Sequence, residues 1–359
     1  MHACPTLLLL FLLVLSLLLP SASPMNSAPP LPPPPIFSFG VIADIQYAPV
    51  PDGSSFSGVP RYYRSALDST LSAASSWKSI RPNPLSFAIN LGDTIDGLAA
   101  SPSATQHQPA LASLSEVMSA LATFPNPTYS VYGNHELYAL NRSEIKTHLK
   151  IPMQVEADNQ MVGYYTIRPA LGWKFVFVDT YDECVMGRTG SKLAKAEFLL
   201  SSNNPNFDRG DINSPEGLEG TDRRWVAFNG GVGSTQLDWI ESELIASRSA
   251  SERVVMLAHQ PFHPDSSNPM CLPHNYEALL NLTDSFSSTV VATFSGHTHS
   301  SGYALGSAGV HHVVFDAVLE SEPGVDTYSV VRVYDDRMVI EGFGDQRSYE
   351  LEINSTCRR

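Results

Sequence analysis

Polar side chains that could bind metal ions follow five apolar runs of the chain. They lie in Asp44-Ile-Gln46, Gly92-Asp93, Gly133-Asn134-His135-Glu136, Ala258-His259 and Gly296-His297-Thr298-His299. Apart from His135 and Glu136, these motifs supply two carboxylates, two amides and three imidazoles, which are suitable ligands for divalent ions such as Mn²⁺, Fe²⁺ and Zn²⁺. Seven such groups are too many for one four-coordinate structural zinc. They suit two ions that share one carboxylate, as in two-metal phosphoryl-transfer sites.

Each of these motifs also has an ordinary structural explanation when it is taken alone. Asp44 could form a turn or cap a helix, and Gly-Asn-His-Glu could be a turn. Two histidines two residues apart lie on one face of an extended chain, but such pairs also occur without metal. We interpret the nearby His311-His312 pair as structural. The five motifs together, in this order, indicate a metal site.

The elements that must position these residues are strands followed by helices. Strands are predicted over residues 36–43, 85–91, 129–132, 254–258 and 290–295, and helices over residues 62–77, 111–123, 235–247 and 275–286. This alternation is typical of an α/β chain, in which ligands bind beyond the carboxyl ends of the strands. We therefore expect the five loops to meet in one pocket.

Two other stretches differ from this alternation. Residues 310–315, 327–333 and 337–341 read as strands, and the Asp335-Asp336 turn predicts an antiparallel hairpin between the last two. Residues 180–234 are rich in Asn, Gly, Asp and Ser, which predicts a long loop or a lid over a site.

Composition limits the classes of function that the chain could have. Of its 359 residues, 43% are hydrophobic and 16% are charged, so it can bury a core. A formal net charge of −14 argues against nucleic acid as a partner. A polyanionic substrate would need a locally positive site, which bound metal could supply. Besides Cys4, only Cys184, Cys271 and Cys357 are present, so at most one disulfide can form outside the leader.

The N-terminus indicates export from the cytoplasm. An almost unbroken apolar run from Leu7 to Leu19 predicts a signal peptide over residues 1–23. A proline-rich spacer over residues 24–35 and a catalytic domain over residues 36–359 would follow. The run is shorter than the about 20 residues of a membrane span, so we expect no stable span after leader removal. The localisation would be secretory or extracellular, or cytoplasmic if the leader is not functional, and an uncleaved anchor is the alternative. Asn141, Asn281 and Asn354 begin N-glycosylation patterns.

The five motifs, with Gly-Asn-His-Glu and Gly-His-Thr-His intact, resemble those of the calcineurin-like metallophosphoesterases from Asp44 to His299. The resemblance implies an α/β (α+β) fold in which a two-sheet β sandwich is flanked by helices. Gln46 stands where most members have His. Within that superfamily the sequences around Gln46, from Asn90 to Gly97 and from Phe228 to Gly231 are similar to the manganese-dependent ADP-ribose/CDP-alcohol diphosphatases.

The resemblance also implies how the ligands would be divided between two divalent ions, with Mn²⁺ the first choice. Asp44, Gln46 and His299 would bind one ion. Asn134, His259 and His297 would bind the other, and Asp93 would bridge them. Because a neutral Gln46 is a weaker ligand than His, the first ion should be held less tightly.

Catalytic and substrate-binding roles follow from the same resemblance. A water bridging the ions would attack phosphorus, and His135 would stabilise the transition state or protonate the leaving oxygen. Phe56 and Phe228 could contact a nucleotide base, and Cys271 could line the pocket, although all three could simply be packing residues. Arg61 could bind a phosphate or the ribose, and Arg64 and Arg188 are further candidates, although surface salt bridges would also explain Arg61 and Arg64.

Together, the motifs and the resemblance predict hydrolysis of the pyrophosphate of ADP-ribose, CDP-choline or a related small nucleotide. The products would be a nucleoside monophosphate and a phosphorylated alcohol. One alternative is a secreted general phosphodiesterase or phosphomonoesterase, and another is a metal-bound interaction module without catalysis. We expect the protein to be a monomer.

Overall fold

Two six-stranded sheets dominate the fold in a computed structural model that describes residues 33–100 and 107–353. The predicted signal peptide, most of the proline-rich spacer, Asn354 and Cys357 lie outside the described residues. Among the residues described, no helix combines the length and the apolar character that a membrane span requires.

The strands and helices follow one another along the whole of the described chain. The strands are Phe37–Ile42 (β1), Gly53–Ser54 (β2), Pro60–Arg61 (β3), Phe87–Asn90 (β4), Thr128–Ser130 (β5), Gln154–Val155 (β6), Met161–Val162 (β7), Tyr165–Ala170 (β8), Trp173–Phe177 (β9), Arg253–Leu257 (β10), Val290–Ser295 (β11), Gly302–Leu305 (β12), His311–Val314 (β13), Tyr328–Val333 (β14), Arg337–Phe343 (β15) and Tyr349–Glu352 (β16). The α-helices are Ser65–Ser79 (α1), Gln108–Leu121 (α2), Asn134–Ala139 (α3), Arg142–Leu149 (α4), Gly190–Asn203 (α5), Ser234–Ser249 (α6) and Tyr276–Ser285 (α7).

Both sheets are mixed, with antiparallel strands at one side of the first sheet and at both edges of the second. The first sheet has the order β16-β15-β14-β1-β4-β5, and the second has the order β12-β13-β11-β10-β9-β8. In the first sheet β1, β4 and β5 are parallel, and in the second β9, β10, β11 and β13 are parallel. The parallel strands of each sheet therefore end at a common edge, where loops can gather around a ligand.

The two sheets pack face to face because alternate side chains of each strand point to opposite faces of its sheet. Along β1, Phe39 and Val41 face the core between the sheets, whereas Ile42 belongs to the layer outside the first sheet. Phe39 stacks on Phe87 with 4.9 Å between the ring centroids and meets Phe175 of the second sheet edge to face at 5.3 Å. Aromatic contacts of this kind hold the two sheets together.

Helices cover the outer face of each sheet. Trp77 of α1 and Val117 of α2 pack on the first sheet, and Ile240 of α6 and Leu279 of α7 pack on the second. A Cβ at Gly40 would lie 2.4 Å from the Trp77 indole, so this position must remain glycine for the helix to dock. These four layers confirm the predicted fold of a two-sheet sandwich flanked by helices.

Most of the predicted elements are present, with bounds shifted by a few residues. The hairpin of β14 and β15 is antiparallel, as predicted. The prediction of a loop over residues 180–234 is wrong in part, because α5 occupies Gly190–Asn203. Cys184 and Cys271 are both free and buried, so the possible disulfide does not join them.

Candidate metal centre

The predicted ligands lie just beyond the carboxyl ends of five parallel strands. Asp44 and Gln46 follow β1, Asp93 follows β4 and Asn134 follows β5. His259 follows β10, and His297 and His299 follow β11. The first sheet therefore supplies four ligands and the second supplies three, and the structure brings all seven to one place between the sheets.

The backbone at this place is held in an unusual conformation. Asp44, Gln46, Asp93, His297 and His299 have φ between 45° and 69°, in the left-handed region that favours glycine. A side chain there costs about 1–3 kcal/mol, and such residues cluster at functional sites. Five of the eight such non-glycine residues in the described chain are predicted ligands. The fold thus accepts strain in order to aim these side chains.

Asp93 is shared by two groups of possible metal ligands. It brings a ligand atom within 4.8 Å of those of His259 and His297, and it does the same with Asp44 and His299. His259 Nε2 lies 3.2 Å from Asp93 Oδ2 and 3.9 Å from Asp44 Oδ1. This arrangement is what a carboxylate bridging two ions requires.

Each imidazole is held by its outer nitrogen, which leaves the inner nitrogen facing the centre. His259 Nδ1 lies 2.8 Å from Leu91 O, His297 Nε2 lies 3.0 Å from Asn229 Oδ1, and His299 Nδ1 lies 2.7 Å from Glu320 Oε1. Because all three partners accept hydrogen bonds, each imidazole donates outward and keeps a lone pair inward. Metal-ligating histidines are typically oriented in this way.

The two amide ligands also fit a metal centre. Gln46 Nε2 lies 3.0 Å from Asp93 Oδ2 and 2.9 Å from His299 Nε2, and Gln46 Oε1 is buried without a hydrogen-bond partner. A buried acceptor without a partner is costly unless a ligand completes it. Asn134 Oδ1 accepts from the hydroxyl of Tyr181 at 3.1 Å. The donor set therefore fits two divalent ions with oxygen and nitrogen ligands.

Glycines let the loops approach this closely. A Cβ on Gly133 would lie 2.0 Å from Asp93 Oδ1, and a Cβ on Gly296 would lie 2.3 Å from Asp44 Oδ2. Any other residue at either position would displace a carboxylate.

In the chain without bound ions, Asp93 and the imidazoles around it shift the pKa of one another. Burial alone would raise the pKa of Asp93, but His259 and His135 outweigh it and hold that pKa well below its usual range. Burial would lower the pKa of His259, and the charge of Asp93 instead raises it to about 9. Burial and the neighbouring His259 lower the pKa of His297. Bound cations would take over the role of a protonated His259.

Glu136 holds together the loops around Asp93. Its buried carboxylate accepts hydrogen bonds from the backbone N–H groups of Asp93, Thr94 and Gly133, including one at 2.8 Å from Gly133. This single side chain joins the loop after β4 to the loop after β5. The structure therefore gives Glu136 an orienting role in the centre.

His135 lies beside Asp93 but belongs to neither group of possible metal ligands. Its backbone N–H donates to Asp93 Oδ1 at 2.9 Å. Its Nδ1 accepts a hydrogen bond from the backbone N–H of Gly97 at 3.1 Å and lies 3.0 Å from Asp96 Oδ2. Burial lowers the pKa of His135, but Asp93 and Asp96 outweigh burial and raise it. The imidazole lines the open cavity above the centre and could transfer a proton there.

A cavity of about 630 Å³ opens above the ligands. All four residues proposed from the sequence as substrate contacts line it, namely Phe56, Arg61, Phe228 and Cys271. Phe56 is 85% exposed, so packing does not account for it, whereas Cys271 is buried. Phe228 meets the His297 ring edge to face at 5.7 Å.

The other two arginines proposed from the sequence have different positions. Arg188 is buried, and it donates to the carbonyl groups of Tyr181 and Met161. Arg64 is exposed at the start of α1 and is not among the residues lining the cavity. Neither therefore fits the role of a phosphate-binding residue. In the segment predicted to be a long loop or a lid, four residues do line the cavity, namely Asp211, Asn213, Ser214 and Pro215.

Several supporting residues were not predicted as part of the site. Asn229, Glu320 and Tyr181 each contact a predicted ligand but precede or follow it by 21 to 68 residues. Their types are common in loops, and no local spacing distinguishes them. The only signal was that Asn229 falls in the Phe-Asn-Gly-Gly stretch that resembles a known family.

Comparison with known proteins agrees with this geometry. The Calcineurin-like phosphoesterase family matches residues 37–301. A manganese-dependent ADP-ribose/CDP-alcohol diphosphatase of Oryza sativa subsp. japonica is 38% identical over 319 residues, which cover 88% of this chain and 94% of the relative. The Homo sapiens protein of the same name is 35% identical over 323 residues, covering 86% of this chain and 90% of that protein.

A solved structure is similar over nearly the same length. The crystal structure of a dimetal phosphatase from Danio rerio has a TM-score of 0.82 and 31% identity, and the match covers 89% of this chain and 100% of that one. The match of the family to most of the sequence, together with relatives above 30% identity, leads to one assignment. This chain belongs to the calcineurin-like phosphoesterase family.

Proposed function

We propose that this protein is a Mn²⁺-dependent hydrolase of ADP-ribose, CDP-alcohols such as CDP-choline, or related nucleoside diphosphate esters. The observation that carries the proposal is Asp93, shared by two groups of metal ligands below a cavity that also holds an arginine and aromatic rings. The names of relatives at 33–38% identity support both the substrate class and the metal. The products would be a nucleoside monophosphate and a phosphorylated alcohol.

The chain would contribute ligands, orientation and a proton to this reaction. Asp44, Gln46 and His299 would hold one ion, Asn134, His259 and His297 the other, and Asp93 both. When bound, these ions would supply Lewis acidity at the phosphoryl oxygens and a nucleophilic water at neutral pH.

His135 would act on the leaving group. Breaking the pyrophosphate bond leaves negative charge on the departing phosphate oxygen, and a protonated imidazole can neutralise it. The position of His135 fits this role, because it lines the cavity and its Nδ1 lies 3.0 Å from the Asp96 carboxylate. The Asp96 carboxylate can therefore support the charged form of the ring.

The cavity walls would hold the rest of the substrate. Arg61 offers a guanidinium for the phosphate that is not attacked. Phe56 and Phe228 offer faces on which a base can stack. Cys271 would form part of the wall beside them.

The experiment that tests the proposal measures product release from ADP-ribose, CDP-choline and p-nitrophenyl phosphate by the chain without residues 1–32. We expect AMP and CMP with Mn²⁺, no turnover after chelation, and about 10²- to 10⁴-fold lower kcat for His135→Ala. His148→Ala replaces a histidine of α4 outside the cavity and serves as the control. Turnover of p-nitrophenyl phosphate alone would contradict the proposal and indicate a general phosphatase.

We also propose that the protein enters the secretory pathway. The support is the apolar run from Leu7 to Leu19 and the exposed Asn141 at the start of α4. Asn281 is a poorer acceptor, because its pattern ends in Thr283, which is buried within α7. Expression in a eukaryotic host should give a secreted protein whose mass falls on N-glycosidase treatment. Asn141→Gln should remove part of that change, because the Asn354 pattern remains. Retention of an unmodified full-length chain in the cytoplasm would contradict this.

A further inference from the structure

We propose that Glu320 is a positioning residue that serves both the first metal ion and the phosphate-binding Arg61. The inference rests on the proposed function for its second half, since Arg61 is a substrate contact only if a phosphate ester is bound. The role of Glu320 at the first metal ion depends only on its contact with His299.

The backbone around Glu320 is fixed to both partners. Glu320 ends a short 3₁₀-helix, Val318–Glu320, whose Leu319 N–H donates to Asp44 O at 3.1 Å. The N–H of Tyr62, the residue after Arg61, donates to Leu319 O at 2.9 Å. One turn of chain thus connects the loop of a metal ligand to the strand that carries the arginine.

The Glu320 carboxylate orients His299. Its Oε1 lies 2.7 Å from His299 Nδ1, so the imidazole donates to it and keeps Nε2 for the ion. The neighbouring ligand is Gln46, whose Nε2 is 2.9 Å from His299 Nε2. Gln46 is neutral and therefore a weak ligand. A carboxylate behind His299 makes that imidazole a stronger ligand and compensates for the amide.

The same oxygen restrains Arg61 without using its hydrogen-bond donor. Arg61 Nε is 3.9 Å from Glu320 Oε1, within reach of charge attraction but too far for a hydrogen bond. Arg61 Nε is buried and has no hydrogen-bond partner among the described residues. A buried donor without an acceptor indicates that a ligand completes it, and a phosphate oxygen in the cavity is the matching chemistry.

These contacts make Glu320 a link between metal binding and substrate binding. Removing its charge should weaken the ion at Asp44, Gln46 and His299 and should also release Arg61. The ion at Asn134, His259 and His297 should be unaffected, because Glu320 contacts none of those three.

The first test is calorimetric titration of Mn²⁺ into metal-free protein. We expect Glu320→Ala to weaken one of two binding events by about 10- to 100-fold and to leave the other unchanged. Glu320→Gln should weaken it less, because the amide oxygen can still accept from His299. Glu341→Gln is the matched control, since Glu341 pairs with Arg332 at 2.8 Å on the first sheet. Equal Mn²⁺ affinities in all four proteins would overturn the proposal. Equal loss at both ions together with a lower melting temperature would show a merely structural role and would also overturn it.

The second test is steady-state kinetics on ADP-ribose at saturating Mn²⁺. Glu320→Ala should raise KM by about fivefold with a smaller change in kcat, because a lost charge contact of this type changes binding by about that factor. Arg61→Lys should raise KM while leaving the Mn²⁺ titration unchanged. An unchanged KM in Glu320→Ala would overturn the link to Arg61. If no protein, including the unchanged one, hydrolyses ADP-ribose, the proposed function fails, and the titrations still decide the role of Glu320 at the metal.

Discussion

At the scale of single residues, Asn229 determines which nitrogen of His297 faces the metal centre. Asn229 Nδ2 donates to Met270 O at 2.7 Å and to Arg224 O at 2.8 Å, so its Oδ1 must face His297 Nε2. The imidazole can then donate only outward. Asn229 thus accepts a hydrogen bond from the outer nitrogen of His297. Glu320 does the same for His299, and the backbone carbonyl of Leu91 does the same for His259.

We predict that Asn229→Ala lowers the affinity of the second ion by about 10- to 100-fold while the first ion binds as before. The physical reason is that His297 can then rotate or carry its proton on Nδ1, which faces His259 Nε2 at 3.1 Å. Electron paramagnetic resonance of free Mn²⁺ would measure both affinities. Asn126→Ala, which removes a similar amide bond to Leu85 O away from the site, should change neither. Unchanged binding in Asn229→Ala would show that His297 needs no support.

The difference between predicted and unpredicted residues has a physical cause. The seven ligands could be predicted because each directly follows an apolar run, and strand ends meet at one edge of a sheet. Asn229 and Glu320 act from other loops, so only the folded chain brings them to the histidines. The left-handed backbone of Asp44, Asp93 and His297 could not be predicted from the sequence either. Asp and His adopt this conformation more often than most residues, but most Asp and His residues do not, so residue type alone does not locate it.

At the scale of elements, α5 shows where a sequence pattern becomes too weak to read. Only three of its residues, Lys192, Ala196 and Leu200, are buried, and one of them is charged. Lys192 is paired with Asp182 and Glu156, so a polar contact replaces part of the usual apolar stripe. The helix therefore resembles the polar loops on either side of it. The central strands β1, β4, β10 and β11 were easier to predict because every residue in them is buried.

The packing of His274 predicts how acid will affect stability. This buried imidazole stacks on Trp225 at 5.3 Å and joins the 3₁₀-helix Gly220–Arg224 to the start of α7. Burial lowers its pKa from 6.5 to about 4. Between these values the unfolded chain binds a proton and the folded chain does not. The contribution of His274 to stability is therefore fully present above pH 6.5 and is lost as the pH falls towards 4, by about 3 kcal/mol in all.

We expect His274→Phe, which keeps a ring on Trp225, to make the free energy of unfolding depend less on pH between 6.5 and 4. Urea unfolding at several pH values would measure this. His148→Gln, which replaces a histidine outside this contact, should follow the unchanged protein. A parallel pH profile for His274→Phe and the unchanged protein would mean that other buried groups determine the acid limit.

At the scale of the whole molecule, the metal centre lies where loops from both sheets of the sandwich meet. Four ligands come from the loops of the first sheet and three from those of the second, so bound ions would connect the two halves of the fold. The chain is also acidic, with a net charge of −14, and the centre itself buries Asp44, Asp93 and Glu136. Bound cations would offset the repulsion between these three buried carboxylates.

The final prediction is that metal removal destabilises the entire fold. An ion that binds only the folded chain stabilises it by about 2.7 kcal/mol per site at 100 times its dissociation constant. For a chain of this size we expect chelation to lower the melting temperature by roughly 5 °C or more, reversibly on adding Mn²⁺. Asp93→Asn should remove most of this Mn²⁺-dependent shift, because both ions lose their shared ligand. Asp208→Asn, at an exposed contact with Ser201, should keep the full shift. Equal shifts in the two variants, measured by differential scanning calorimetry, would mean that Mn²⁺ stabilises the protein from some other site. A shift lost only in Asp93→Asn would show that ions bound at this centre stabilise the fold.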